Sequence, residues 1–405
     1  MRNSILRRVV GAAAAVVMAG LAANAMAQAK KSGPGYTATE IKLGQSMPYS
    51  GPLSAFAIIG KAEAAYFKMV NEKGGINGRK VTLVSLDDGY NPAKTVEVTR
   101  KLVEDEKVLA IVGTLGAPTN AAIRKYLNDR KVPQLFVASG ATEWGDHARY
   151  PWTMGWQPSY QVEGHIYARY IMANYPNAKV AVLYQNDDSG RDYLKGLTDG
   201  FGAQASRFIV KTASFEVTDP TVDAQVLALK DSGADVFFNA ASPKAAAQAI
   251  RKSAEIQWKP VQFLASNSGS IPVLKAAGFD NAAGVITAAY QKDPTDKEWA
   301  DDPAMNEWKA WMKRYLPEAG LENSFAVYGY LIGMTTAHVL QQCGEDLSRE
   351  NVMKQAASIA NLPLPLLLPG IAISTAPDNY YPVRQMRLQK FDGKGWTVFS
   401  PALGG

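Results

Sequence analysis

The sequence predicts an α/β protein made of two doubly wound parallel-sheet lobes. Three observations lead there. Short β-rich runs alternate with helical runs along most of the chain. Several of those runs, Val108–Thr114 above all, are almost wholly apolar, as strands covered on both faces are. The alternation also restarts near residue 158, in a chain of 405 residues. That length accommodates two domains of about 100–200 residues each.

The elements follow in order. Ile41–Met47 is an apolar strand; Ala55–Lys73 has helical spacing and stops at Gly74-Gly75. Lys80–Asp87 is a second strand. Asn91 can accept a free N–H at a helix start and Pro92 suits the first helical position, so a helix runs to about Glu106. Val108–Thr114 and Pro133–Ser139 are strands flanking the helix Thr119–Arg130. In the second cycle the helices are Tyr160–Tyr175, Gly190–Phe201, Val222–Ser232 and Lys244–Ile256. Its strands are Lys179–Gln185, Phe208–Phe215, Asp235–Ala240, Val261–Ser266 and Gly284–Tyr290. Met305–Leu316, Ser324–Gln342 and Arg349–Ile359 are helical, and Trp299, Trp308 and Trp311 read as a packing face. Leu362–Pro369 is apolar and proline-rich, hence extended. Gln385–Phe391 and Trp396–Phe399 form a closing hairpin around Asp392-Gly393-Lys394-Gly395.

The amino terminus has its own logic. Arg2, Arg7 and Arg8 precede Val9–Leu21, which carries no charge, and Ala25-Met26-Ala27 follows. A basic start, a short apolar run and a small-x-small site predict a secretory signal peptide over residues 1–27. The apolar run is shorter than the about 20 residues of a membrane span. Arg7-Arg8 also fits half of a twin-arginine leader, but the residues after it favour the general export route. Removing the three arginines from 43 basic residues leaves a near balance with 37 acidic ones, which offers no basic surface for nucleic acid. Cys343 is the only cysteine and reads as a small buried helix residue. His147, His165 and His338 lie far apart, so neither a metal site nor a cofactor is expected. No HExxH, GxSxG or P-loop pattern occurs. Asp87-Asp88 and Asp187-Asp188 are carboxylate pairs, but no nucleophile accompanies them or His165, and an enzyme is not the expected class.

In doubly wound sheets, ligands bind outside the carboxyl ends of the strands, where strand order reverses. The loops after Met47, Thr114, Ser139, Gln185, Ala240 and Ser266 are therefore the place to look. There the stretches IKLGQSMPYSGPLSAF, NEKGGINGRKVTLVSLDDGYNPAKTVEVTRKLVEDEKVLAIVG and VPQLFVASGAT occur in this order. Together they resemble the leucine/isoleucine/valine-binding protein family, the type I periplasmic solute-binding proteins of ABC importers. The resemblance covers roughly Glu40 to Ser400 and is strongest before Ala148.

The resemblance implies two Rossmann-like lobes joined by three crossovers, closing on a ligand as a clamp. Lobe one would be 36–157 plus 290–360, and lobe two 158–289 plus 361–405. It also implies a periplasmic location, a monomer and an inner-membrane ABC permease as partner. A ligand's carboxylate would be held in lobe one, by Leu115, Gly116 and Thr119 after one strand and Ser139, Gly140, Ala141 and Thr142 after the next. Pro118 removes an N–H from that grip. Tyr49, Ser50, Phe56, Trp156, Tyr290 and Tyr328 are candidate neighbours of the ligand, mostly aromatic walls.

Lobe two departs from the family pattern. Amino-acid binders commonly carry an acid after the strand matching Val261–Ser266, to pair with the ligand's ammonium. Here that loop is Asn267-Ser268-Gly269. Ser189 stands where a tyrosine is frequent, and Ala241-Ser242 where another aromatic is frequent. A buried ammonium without a negative partner is disfavoured by several kcal/mol. The expected ligand is an organic acid with an apolar or aromatic body, touching Ser189, Ser242 and Asn267. The alternative is a hydrophobic amino acid, with Asp187 or Asp188 rescuing the ammonium. A sensor subunit presenting the same clamp to a membrane receptor is a third possibility.

Overall fold

The computed structural model describes residues 32–404, and the expected signal peptide over 1–27 lies outside them. Strand β1 (Glu40–Met47) pairs in parallel with β2 (Lys80–Asp87), from Glu40 opposite Lys80 to Met47 opposite Asp87. Helix α1 (Ala57–Glu72) connects them after a tight turn at Ser54–Phe56. Helix α2 (Pro92–Arg100) starts with the Asn91 side chain accepting the N–H groups of Ala93 and Lys94, then widens into a π turn over Lys101–Asp105.

Strand β3 corrects the sequence expectation. Only Ile111–Val112 is strand, because Lys107 and Gly113 take positive φ (55° and 63°) and bend the chain on either side. The preceding residues still bond to β1: Leu109 donates to the Lys42 carbonyl, and Gly44 to that of Ala110. Helix α3 (Ala117–Asp129), β4 (Gln134–Val137) and β5 (Thr153–Gly155) complete a parallel five-stranded sheet of order β2-β1-β3-β4-β5. β5 is so short that no pattern marks it.

The chain then crosses to a second sheet. The strands β6 (Val180–Gln185), β7 (Ile209–Phe215), β8 (Val236–Ala240), β9 (Val261–Leu264) and β10 (Ile286–Ala289) pair in parallel in the order β7-β6-β8-β9-β10. Around them lie α4 (Tyr160–Asn174), α5 (Asp188–Phe201), α6 (Asp223–Lys230), α7 (Pro243–Glu255) and α8 (Ile271–Ala277).

A second crossing brings α9 (Pro303–Tyr315), α10 (Ser324–Gln342) and α11 (Arg349–Ala356) back toward the first sheet, where α10 packs along α1. Trp308 and Trp311 are buried there, Trp311 edge-on to Tyr330 at 4.7 Å. A third crossing, through irregular chain that bridges Leu362 to Ile373, returns β11 (Gln385–Phe391) antiparallel onto β10 and β12 (Trp396–Val398) antiparallel onto β11. The short β13 (Leu403–Gly404) pairs with β11. Among the described residues, no helix is long and apolar enough to cross a membrane.

Helices α4 and α5 cross with their backbones in contact. A Cβ on Gly196 would lie 2.4 Å from the Gln161 Cα, and one on Gly164 2.5 Å from the Leu197 nitrogen. Gly196→Ala should therefore push the helices apart and destabilise the fold by about 1–3 kcal/mol. Urea unfolding measures it, and an unchanged midpoint would show that the crossing relaxes freely.

Candidate ligand-binding cleft

The carboxyl ends of both sheets border one cleft, at the points where strand order reverses, between β1 and β3 and between β6 and β8. It encloses about 790 Å³, counting its open mouth. The first sheet's loops supply Leu53, Phe56, Tyr90, Leu115, Gly116 and Ala138. The second sheet's side supplies Gln185, Ser189, Gly190, Tyr193, Ala240–Ser242, Ser266, Asn267, Tyr290 and Gln291. Gln157 and Tyr160 come from the first crossing; Ser324, Phe325 and Tyr328 come from the start of α10. Among the described residues, no side chain lining the cleft is an Asp, Glu, Lys, Arg or His.

The residues expected from sequence divide into two groups. Phe56, Leu115, Gly116, Ser189, Ser242, Asn267, Tyr290 and Tyr328 line the cleft. The structure places the others behind or beside it. The Tyr49 hydroxyl lies 2.6 Å from that of Ser85, and Ser50 gives both its N–H and its hydroxyl to Asp87. The Thr119 hydroxyl turns back onto the carbonyls of Leu115 and Gly116. Ser139 accepts the Ala141 N–H, and Gly140 is closed in by the Pro158 carbonyl and the Tyr160 ring. Thr142 is bound to Asp192 of α5. Trp156 is fully buried, edge-on to Tyr290 and Tyr328, and its Nε1 donates to Thr335 (3.0 Å). Asp187 caps α5 through the Gly190 N–H, while Asp188 pairs with Arg191 at the surface.

Tyr90, Gln157, Tyr160, Gln185, Tyr193 and Gln291 have no periodic signal in the sequence. Tyr90 carries one structural mark: its φ is +61°, rare outside glycine, and this strained turn points the ring across the cleft. Its hydroxyl donates to Asp187 (3.2 Å) on the opposite side. Burial pushes the phenols of Tyr90, Tyr160, Tyr193, Tyr290 and Tyr328 above their ordinary value, so all five stay neutral. Tyr160 and Tyr193 stack at 4.2 Å.

The electrostatics come from the backbone. Four helices begin at this cleft: α3 after Gly116, α5 at Ser189-Gly190, α7 after Ser242 and α10 at Ser324. Gly116 has φ +98°, which turns the chain sharply into α3. The Ser242 side chain makes no capping bond. Asp187 already caps the α5 start and Asn323 the α10 start, whereas the starts of α3 and α7 have no side-chain cap; their free N–H groups and partial positive charge favour an anion. Pro118 and Pro243 each remove one N–H.

The acid missing from the Asn267 loop has a counterpart beneath it. Glu163 of α4 accepts the Ser266 N–H (2.7 Å), the Ser266 hydroxyl (2.6 Å) and the hydroxyls of Tyr167 (2.8 Å) and Tyr193 (3.3 Å). Burial pushes its carboxyl up to about 7 against those stabilising bonds. It holds the loop and does not line the cleft.

The two sides are latched together at the rim. Asp192 Oδ2 accepts both the N–H and the hydroxyl of Thr142, each at 2.7 Å. Asp192→Ala removes these bonds between the two sides, along with the one from Gln161, so ligand affinity should fall about five- to tenfold. Calorimetric titration with any acid that raises the melting temperature checks this, and equal affinity would show that the latch does not hold closure.

This geometry matches known proteins. A family model described as periplasmic binding protein matches residues 40–395. The Leu/Ile/Val-binding protein homolog 7 of Brucella abortus is 24% identical over 401 residues, covering 92% of this chain and 95% of that protein. Among solved structures, a branched chain amino acid ABC transporter protein from Thermus thermophilus with bound valine has a TM-score of 0.82 at 18% identity. That likeness spans 91% of this chain and 97% of that one. The fatty acid ABC transporter substrate-binding protein from Thermomonospora curvata has a TM-score of 0.79 at 22% identity, covering 93% and 95%. With two α/β lobes, three crossings and a cleft between the sheets, the chain belongs to the periplasmic binding protein family, in its leucine/isoleucine/valine-binding group.

Proposed function

We propose that the protein captures a small organic acid with an apolar or aromatic body for an ABC importer. One observation carries this: two uncapped helix starts, those of α3 and α7, border a cleft that among the described residues no charged side chain lines. Neutral hydroxyls and backbone N–H groups can hold a carboxylate there, and Phe56, Phe325 and the tyrosines suit an apolar body. An α-ammonium has no such provision, because Asp187 is already engaged by Gly190, Gln185 and Tyr90. Residues 36–157 with 290–360 would move against 158–289 with 361–405 as rigid bodies, the ligand favouring the closed form by touching both. The closed monomer would then dock on an inner-membrane permease.

The Thermomonospora relative, named for fatty acids, is in keeping with this reading, while the Thermus structure holds valine. A second reading, a hydrophobic amino acid, is favoured by the buried, unpartnered Gln185 Oε1 beside Asp187. A thermal-shift screen of the chain from Gln28 separates the two, using leucine, valine, phenylalanine, benzoate, hydroxycinnamates and medium-chain fatty acids. Acids without an ammonium should raise the melting temperature and amino acids should not. A ligand at 100 times its dissociation constant adds about 2.7 kcal/mol, an easily visible shift. A shift by leucine or valine alone selects the second reading.

A further inference from the structure

A smaller recess lies against the main cleft on its second-sheet side. Ser266, Tyr290, Gln291 and Ser324 line both spaces, and Asp293 and Gln389 line only the recess. Its lining holds buried acceptors that have no donor. Gln291 gives its Nε2 to the Ser324 carbonyl (2.8 Å), which fixes the amide and leaves Oε1 buried without a partner. Gln389 projects from β11 opposite Thr287 of β10, is 5% exposed, and its Oε1 also has no partner. Asp293 is equally buried; Thr295 gives its N–H and hydroxyl to Oδ1, and no described hydrogen bond reaches Oδ2.

Buried acceptors left unmatched are unfavourable, and a site built around them discriminates strongly for a group that supplies the missing donor. We propose that the recess is a ligand subsite for a hydrogen-bond donor, a hydroxyl or an ammonium on the end of the ligand remote from its carboxylate. The inference rests on the reading that the main cleft takes that carboxylate. It extends the reading from a plain apolar acid to one carrying a terminal donor. Burial also raises the Asp293 carboxyl to about 6, the direction expected of an acid lacking a cationic partner. Its charged neighbours are Asp296 and Lys309, and among the described residues it forms no ion pair.

The test compares acids that differ only in the donor: phenylpropanoate with its para-hydroxy analogue, and hexanoate with its omega-hydroxy and omega-amino analogues. Titration calorimetry on the wild-type chain from Gln28 should show at least one donor-bearing acid binding about tenfold or more tightly than its parent. In Gln389→Met the ratio within that pair should fall below about threefold. Taking the ratio within one variant cancels any general loss of stability. Asp293→Asn supplies an independent variant and identifies the donor: a lost advantage for the amino analogue alone marks an ammonium site. If the plain parents bind and no donor analogue binds more tightly, the subsite is overturned and water fills the recess. A ratio unchanged in both variants overturns it equally. If no acid of either kind binds, the carboxylate reading fails, and the subsite with it.

Discussion

Trp156→Ala should lower the unfolding free energy by about 3–5 kcal/mol, the usual range for deleting a large buried aromatic ring. Trp156 is wholly buried where the chain first leaves the five-stranded sheet. Its ring sits 5.9 Å from Tyr290 and 5.1 Å from Tyr328, both of which line the cleft. The truncation therefore removes support from two walls of the site as well as volume from the core. Ligand binding should weaken together with stability, whereas Asp192→Ala removes bonds to Thr142 and Gln161 at the rim and leaves this aromatic support in place. Trp156→Phe keeps a ring but loses the Nε1 bond to Thr335, and a loss of about 1 kcal/mol is expected. Urea unfolding of the three proteins, with titrations on those that fold, measures both effects. An alanine variant within 1 kcal/mol of wild type, on the order of ordinary surface changes, would show that the neighbouring tyrosines collapse into the space.

Glu163 predicts a pH dependence. Its carboxyl rises from an ordinary value of 4.5 to about 7 in the folded protein, because burial penalises its charged form. Below about pH 4.5 it is protonated in both states, and its contribution to stability is fully present. As pH rises toward 7 the unfolded chain releases the proton while the folded chain retains it, so stability is lost through that window. The loss is on the order of 3 kcal/mol. Glu63 and Asp293 are pushed in the same direction by burial. The informative quantity is therefore the difference between wild type and Glu163→Gln, in which those groups cancel. That difference should fall with rising pH and level off above about pH 8. A difference independent of pH would show that Glu163 titrates alike in both states.

How far the sequence could be read depended on how local the chemistry was. Asn91-Pro92 announces a helix start because capping involves residues only two or three positions away. The long helices and buried strands announce themselves by periodicity. β5 and α8 do not, being short segments stabilised by what they pack against. The sequence pointed to loops that border the cleft more often than to the side chains that line it. Thr119 and Thr142 are hydroxyls where hydroxyls were expected, but one turns back on its own helix start and the other reaches Asp192 on a distant helix. Tyr90, Gln157 and Gln291 are set in place by an unusual backbone turn and by crossings between the sheets, which no one-dimensional pattern encodes.

The three crossings have a consequence for the order of assembly. Helix α1 of the first lobe is packed against by helices that arrive only after residue 303, and the second sheet is completed by a strand beginning at residue 385. Ile286 pairs with Lys390, so the second sheet is completed only by a strand that lies well over ninety residues further along. Neither half is a finished folding unit before those segments have been made. Folding is a late event dominated by distant contacts, which slows it.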